Sequence, residues 1–237
     1  DISIPVGKDS LSMRSKWVEE GQNFEVKSPL TGVISAMAPV FDTRLAITTE
    51  LESSSSDLYH IKLSDKQRMG GSILALIEDQ LSLETPDVEN AQQIKELFNL
   101  IQNEILNQKI TALHDISDGG MLAALCEISF TNKVGLDIFL STSDEQIHSE
   151  LFNEELGLII QCKGEVDELS NQLREIGCSI RKCGVTSAAY ELQIFDRQMR
   201  NIFSSSCVEL EKAWQETSTK IRMERDNPVC VERETNA

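Results

Sequence analysis

Over 237 residues the chain carries 39 acidic and 22 basic side chains, a formal charge of −17 at pH 7. That balance excludes nucleic acid or an anionic membrane as the main partner, because either needs a basic footprint, although a locally basic pocket can still hold a polyanionic ligand. With 40% hydrophobic residues the length supports one large or two small domains with a real core, and no apolar run approaches membrane-spanning length.

The six cysteines, Cys126, Cys162, Cys178, Cys183, Cys207 and Cys230, show no CxxC spacing, and the three histidines are not paired. Neither a zinc site nor a disulfide framework is expected, and a reducing cytoplasm fits best. No signal-peptide pattern is present. The chain opens on Asp1-Ile-Ser-Ile-Pro-Val6 without a methionine, which reads as the middle of a strand and hence as part of something longer.

In chain order, residues 2–6 read as a short strand running into Gly7-Lys-Asp-Ser10, a turn that lacks the second glycine and the Lys-Ser/Thr pair of a P-loop. Residues 23–29 read as an edge strand and 30–40 as a long buried strand, with Asp42-Thr-Arg44 closing a β-rich portion. Glu52-Ser-Ser-Ser-Ser-Asp57 is polar and low in complexity, so a linker and domain boundary are expected there. Residues 58–63 alternate as a strand, and Gly70-Gly-Ser72 precedes a helical run at 73–77. Pro86 is expected to open a long helix with Ile94, Leu97, Phe98, Ile101 and Ile105 on one face.

Further strands are expected at 135–140, 158–162, 178–183 and 190–195, with a turn at 152–157. A turn at Asp196-Arg197 leads into 199–203, and a helix carries Val166, Leu169, Leu173 and Ile176. The last helix spans 207–224, with Leu210, Ala213, Trp214, Thr217 and Ile221 along one stripe, and Asn227-Pro228 stops it. This interleaving predicts an α/β (α+β) fold: a layered α/β sandwich with a mixed sheet, preceded by an incomplete β-rich module that exposes apolar surface. The expected divisions are 1–54, 55–204 and 205–237.

One stretch organises the rest. Thr111-Ala-Leu-His-Asp115-Ile-Ser117-Asp118-Gly-Gly120-Met121 joins a short apolar lead-in, two carboxylates, a hydroxyl and two glycines at the entrance of a helix continuing through Ile128. Ser117 or Asp118 is expected to cap that helix. Its N–H groups and dipole attract an anion, and a nearby carboxylate suits magnesium. The competing reading is an ordinary capped helix with His114 as a hydrogen-bonded core residue. Glu154-Glu155 invites an acid/base reading, but neighbouring side chains point apart, so a turn with one buried carboxylate is expected. Cys126, on an apolar helix face, reads as packing rather than as a nucleophile.

Six motifs then occur in order: Ile4-Pro-Val-Gly-Lys-Asp-Ser-Leu-Ser-Met13, Ser28-Pro-Leu-Thr-Gly-Val-Ile-Ser-Ala36, Gly70-Gly-Ser72, His114-Asp-Ile-Ser-Asp-Gly-Gly120, Phe152-Asn-Glu-Glu-Leu-Gly157 and Arg225-Asp-Asn-Pro228. Together they resemble the large, single-chain phosphoribosylformylglycinamidine synthases, across essentially the whole chain. The resemblance implies the end of the second β-rich synthetase module, then the second α/β module, then a tail leading towards a glutaminase domain. It implies an ATP- and glutamine-dependent conversion of formylglycinamide ribonucleotide to its amidine, with ATP or ADP and Mg2+ as cofactors.

By that match Asp115 is the magnesium ligand and Ser117 a nucleotide contact of an auxiliary site. Gly7 matches a nucleotide contact and Ser10 a substrate contact. Lys8 stands where smaller members place a magnesium ligand, and a cation does not ligate the ion. No catalytic residue is assigned to this chain, and none of its cysteines or histidines is given the glutaminase role. An alternative reading is a non-catalytic, structural nucleotide-binding module of that enzyme or of a related ATP-dependent synthase.

Overall fold

The structure, a computed structural model, describes residues 3–8, 14–27, 32–40, 42–52, 55–80 and 82–235. The chain forms two compact units, Asp1–Phe41 and Asp42–Ala237.

In the first unit an antiparallel hairpin pairs β1 (Arg14–Glu19) with β2 (Gln22–Lys27), Glu19 opposite Gln22. The two-residue turn Glu20-Gly21 has positive φ at both positions, +50° and +79°. That is the turn whose twist matches the strands it joins. Trp17 stacks on Phe24 at 5.4 Å, and Glu25 lies within ion-pair reach of Arg14, Lys16 and Lys27. The β1 half of this hairpin is absent from the sequence reading.

Two expectations are corrected here. Among the described residues, neither 3–8 nor 32–40 forms a strand, and Val33 and Ile34 stand 87% and 89% exposed. An apolar run supplies side chains to bury but no partner for its backbone N–H and C=O groups, and without one a strand does not form. Ile4, Val6, Val33, Ile34 and Met37 are exposed.

The second unit is built on a seven-stranded sheet in the order β4-β6-β3-β7-β5-β8-β9. Its strands are β3 (Asp57–Lys62), β4 (Ile110–Asp115), β5 (Gly135–Phe139), β6 (Gly157–Cys162), β7 (Ser179–Ser187), β8 (Glu191–Phe195) and β9 (Asn201–Ser206). All neighbours are antiparallel except β5 and β8, so the sheet is mixed. Successive side chains on a strand face opposite ways, and the core divides accordingly. Leu58 and Ile159 join Met121, Leu125 and Ile128 of α3 (Gly120–Asn132) on one face. Ile61 and Ile160 join Leu97 and Ile101 of α2 (Ala91–Leu106) and Leu169 and Leu173 of α5 (Asp167–Glu175) on the other. This is the layered sandwich expected.

Boundaries differ in informative places. α2 opens at Ala91 and not at Pro86, because the Asn90 side chain accepts hydrogen bonds from Gln92 N and Gln93 N. A short helix not anticipated, α4 (Ile147–Phe152), precedes Asn153. α6 (Cys207–Arg225) ends where expected, but Pro228 opens a further helix, α7 (Pro228–Thr235), as proline at a first helical position does. On the α6 stripe Trp214 is exposed, though its Nε1 donates to Glu127 at 2.9 Å. The expected linker is tied down on both sides. Leu51 lies in the core, Glu52 N donates to the Gln161 amide oxygen (2.8 Å), and Ser56 N donates to Thr186 Oγ1 (2.8 Å). Among the described residues no helix is long and apolar enough to cross a membrane.

His60, at the middle of β3, is buried with its Nδ1 unpartnered. Burial, reinforced by Arg181 and Lys62 and opposed by Glu150, holds its pKa down to about 3. The folded state therefore keeps the ring neutral, while the unfolded chain protonates it near pH 6.5. His60 thus contributes stability above pH 6.5 that is lost as pH falls towards 3, at about 1.4 kcal/mol per pH unit. Urea unfolding between pH 7 and 5 should show this slope, and His60→Asn should flatten it. An equal slope in the variant would place the acid sensitivity elsewhere.

Candidate functional site

The turn at the end of β4 is held from below and open above. Asp115 ends the strand opposite Leu158, and Ile116 N donates to Gly157 O (2.9 Å) while its side chain enters the core. Alternation then brings Asp115 and Ser117 outward, and both are exposed, the Asp115 carboxylate by 71%. Gly120 N donates to Ser117 O (3.0 Å), and Gly119 and Gly120 follow at φ +84° and +70°. Only glycine fits the second position, since a Cβ would lie 2.6 Å from Asn153 O and 2.8 Å from Leu151 O.

The expected cap is corrected. α3 has Gly119 at its N-cap and no side-chain cap from Ser117 or Asp118. Glu154 supplies the anion from across the chain: its Oε1 accepts from Gly119 N (2.9 Å) and also from Ile73 N (2.8 Å), the first residue of α1 (Ile73–Ile77). At this amide the anion favoured by the helix dipole is therefore a protein carboxylate. His114 is not a core residue. Its Nδ1 lies 2.7 Å from Asp115 O and its Nε2 3.2 Å from Glu127 Oε2, so it braces the strand end against α3.

Glu155, beside Glu154, is buried at 5% exposure and accepts from Arg68 Nε at 2.6 Å and Nη2 at 2.7 Å. Burial pushes its pKa up. The Arg68 side chain and backbone hydrogen bonds reverse this and hold it below the ordinary range. One buried carboxylate on the 152–157 turn is what side-chain alternation leads to. The sequence reading missed the anchoring roles of both glutamates. The available signal was two carboxylates set between Leu151, Phe152 and a buried strand.

Asp115 and Ser117 thus share one turn. Gly7 lies in the other compact unit, exposed and with none of the described residues within 4 Å of a Cβ placed on it, and Ser10 lies outside the described residues. Among the described residues no group of three or more His, Cys, Asp or Glu side chains is arranged to hold a metal ion. Asp115 therefore offers one hard oxygen donor, which suits magnesium that keeps water and phosphate oxygens as its other ligands. Burial pushes Cys126, Cys162 and Cys183 up to about 12, which leaves them protonated and unreactive.

The family described as AIR synthase related protein, C-terminal domain, matches residues 58–197, and the one described as FGAR-AT PurM_N-like domain matches residues 1–39. The chain is 38% identical over 242 aligned residues to a phosphoribosylformylglycinamidine synthase of Schizosaccharomyces pombe. The alignment covers 98% of this chain and 18% of that protein. Among solved structures, Thermotoga maritima PurL complexed with FGAR superposes over 71% of this chain and 30% of its own, at TM-score 0.61 and 9% identity. The same protein complexed with ATP gives 0.56 at 10% identity, over 70% of this chain and 27% of its own. At those identities the likeness is one of fold.

Proposed function

We propose, on the premise that this chain belongs to the AIR synthase related proteins through their C-terminal domain, that it is a segment of an ATP- and glutamine-dependent carbon–nitrogen ligase. The reaction is conversion of formylglycinamide ribonucleotide to formylglycinamidine ribonucleotide in purine biosynthesis. The observation that carries this is the alignment of nearly the whole chain with the fission-yeast synthase. In this reading residues 1–54 end a β-rich synthetase module, 55–204 form the α/β module and 205–237 lead towards the glutaminase part. The setting is the cytoplasm, which fits six free cysteines.

The chemistry activates the substrate's amide oxygen by phosphorylation, after which ammonia released from glutamine displaces phosphate to leave the amidine. Catalysis of that kind depends on converging groups that neutralise phosphoryl charge and on exclusion of water. Asp115 would hold a magnesium ion that screens the nucleotide's phosphate oxygens when bound, and Ser117 would hydrogen-bond the nucleotide. His114 braces the strand end that presents them. Gly7 allows close approach of a nucleotide to the backbone, and Ser10 would contact the substrate.

A second reading is a nucleotide kept as a fixed structural cofactor, with Asp115 supplying one exposed oxygen donor to its metal. Asp115→Asn in the complete synthase tests both. The variant should purify with its nucleotide lost or readily exchanged and should melt at lower temperature. Reduced turnover of folded, nucleotide-saturated protein would favour a catalytic part, and unchanged turnover a structural one. Full nucleotide content with unchanged melting would remove Asp115 from the site.

A further inference from the structure

We propose that Glu154 is a positioning residue that makes the segment from Arg68 to Ile73 and the turn from Asp115 to Gly120 move as one piece; the consequence for nucleotide binding rests on the reading above. The two segments are about 45 residues apart in sequence; among the described residues Glu154 bonds to both, and the adjacent Glu155 holds the first. Glu155 grips the near end of the first segment through the Arg68 side chain and, at 3.2 Å, through Arg68 N. Glu154 grips its far end at Ile73 N and, through the same oxygen, Gly119 N of the turn.

Between those ends the segment is tied by its own hydrogen bonds. Gly70 N donates to Glu84 O (2.8 Å), with no room for a Cβ beside that carbonyl. The buried Ser72 donates to Met69 O (2.8 Å) and accepts from Ala75 N (3.2 Å). The carbonyl that closes on Gly120 belongs to Asn153, so the peptide packed against the turn delivers the next side chain to it. Neither Ser117 nor Asp118 caps α3, so Glu154 is the group that fixes the entrance of α3 relative to the first segment. A carboxylate is suited to this because its charge complements the helix start and one oxygen accepts two N–H groups.

The test uses the complete synthase with Glu154→Ala and Glu154→Gln, the latter keeping an acceptor oxygen without the charge. Magnesium-ATP affinity is read by calorimetry and amide exchange over residues 69–76 and 117–122. Glu154→Ala should weaken magnesium-ATP by about tenfold to a hundredfold, the range for groups standing behind ligands, and both segments should exchange faster in parallel. Glu154→Gln should fall between. A merely structural role lowers melting but leaves the affinity of folded protein alone. Wild-type affinity in folded Glu154→Ala, with binding lost in Asp115→Asn, overturns the positioning role and leaves the nucleotide site standing. Should Asp115→Asn bind as wild type, the nucleotide reading has failed and exchange decides: loosening of both segments supports the coupling, and loosening of one or neither overturns it. If Glu154→Ala does not fold, wild-type behaviour of Glu154→Gln in both readouts overturns the proposal.

Discussion

Replacing Arg181 with methionine is expected to destabilise the larger unit by about 3–5 kcal/mol, the usual penalty for leaving one member of a buried ion pair alone. Glu150 is 4% exposed on α4 and sits in a shell of donors. Ser141 N, Ser141 Oγ (3.0 Å), Thr142 N (3.0 Å) and Thr142 Oγ1 (2.6 Å) all reach its oxygens, and Arg181 Nη2 pairs with it. Burial pushes the Glu150 pKa up; Arg181, then the Thr142 hydroxyl and the two amides, reverse this and hold it below the ordinary range.

Its contribution is therefore present above pH 4.5 and lost as pH falls through the lowered folded value. Without Arg181 the carboxyl loses its strongest opposing charge and its pKa rises. The gap between wild type and Arg181→Met should accordingly narrow as pH falls from 7 to 4, when the variant takes up a proton. Adding Glu150→Gln to Arg181→Met should recover part of the loss, because no charge then remains buried. Denaturant unfolding of the three proteins at both pH values measures this. A loss under about 1 kcal/mol for Arg181→Met would show that the donor shell alone satisfies Glu150.

Gly120→Ala is the second large effect. A left-handed conformation costs an alanine about 1–2 kcal/mol, and here the new methyl also meets three backbone atoms, Asn153 O, Leu151 O and Phe152 C, within 2.8 Å. Backbone does not rotate away, so overpacking adds about 1–3 kcal/mol and shifts the segment that carries Glu154. Gly164→Ala serves as control, with φ +77° and nothing within 4 Å of a Cβ. It should show the conformational strain alone. Equal losses at the two positions would mean that the α4–β6 connection yields freely.

Much of the larger unit was legible in the sequence. Apolar residues on opposite faces at Ile159 and Ile160, and helical spacing at Leu97, Ile101, Leu169 and Leu173, are local patterns that depend only on the period of the backbone. The mixed sheet and its helical layers followed from the alternation of these elements. The turn at Asp115 to Gly120 was recognisable from its two glycines ahead of an apolar run. Residues 32–40 were misread for the same reason that residues 58–63 were read correctly: apolar content reports a wish to be buried and carries no information about a pairing edge.

By itself, then, the sequence determined the alternation of strand and helix in the larger unit, the glycine turn carrying Asp115 and Ser117 at the entrance of a helix, and the match to a synthase family. The tertiary structure alone decided which carboxylate holds the Gly119 amide at the entrance of α3, which arginine neutralises Glu150 and which segment Glu154 ties to the turn. Those partners lie 30 to 90 residues apart, and their pairing is set by which strands lie side by side in the β4-β6-β3-β7 order. Local periodicity has no term for such neighbours. A charge taken from water needs a partner close by, and only the folded sheet supplies one.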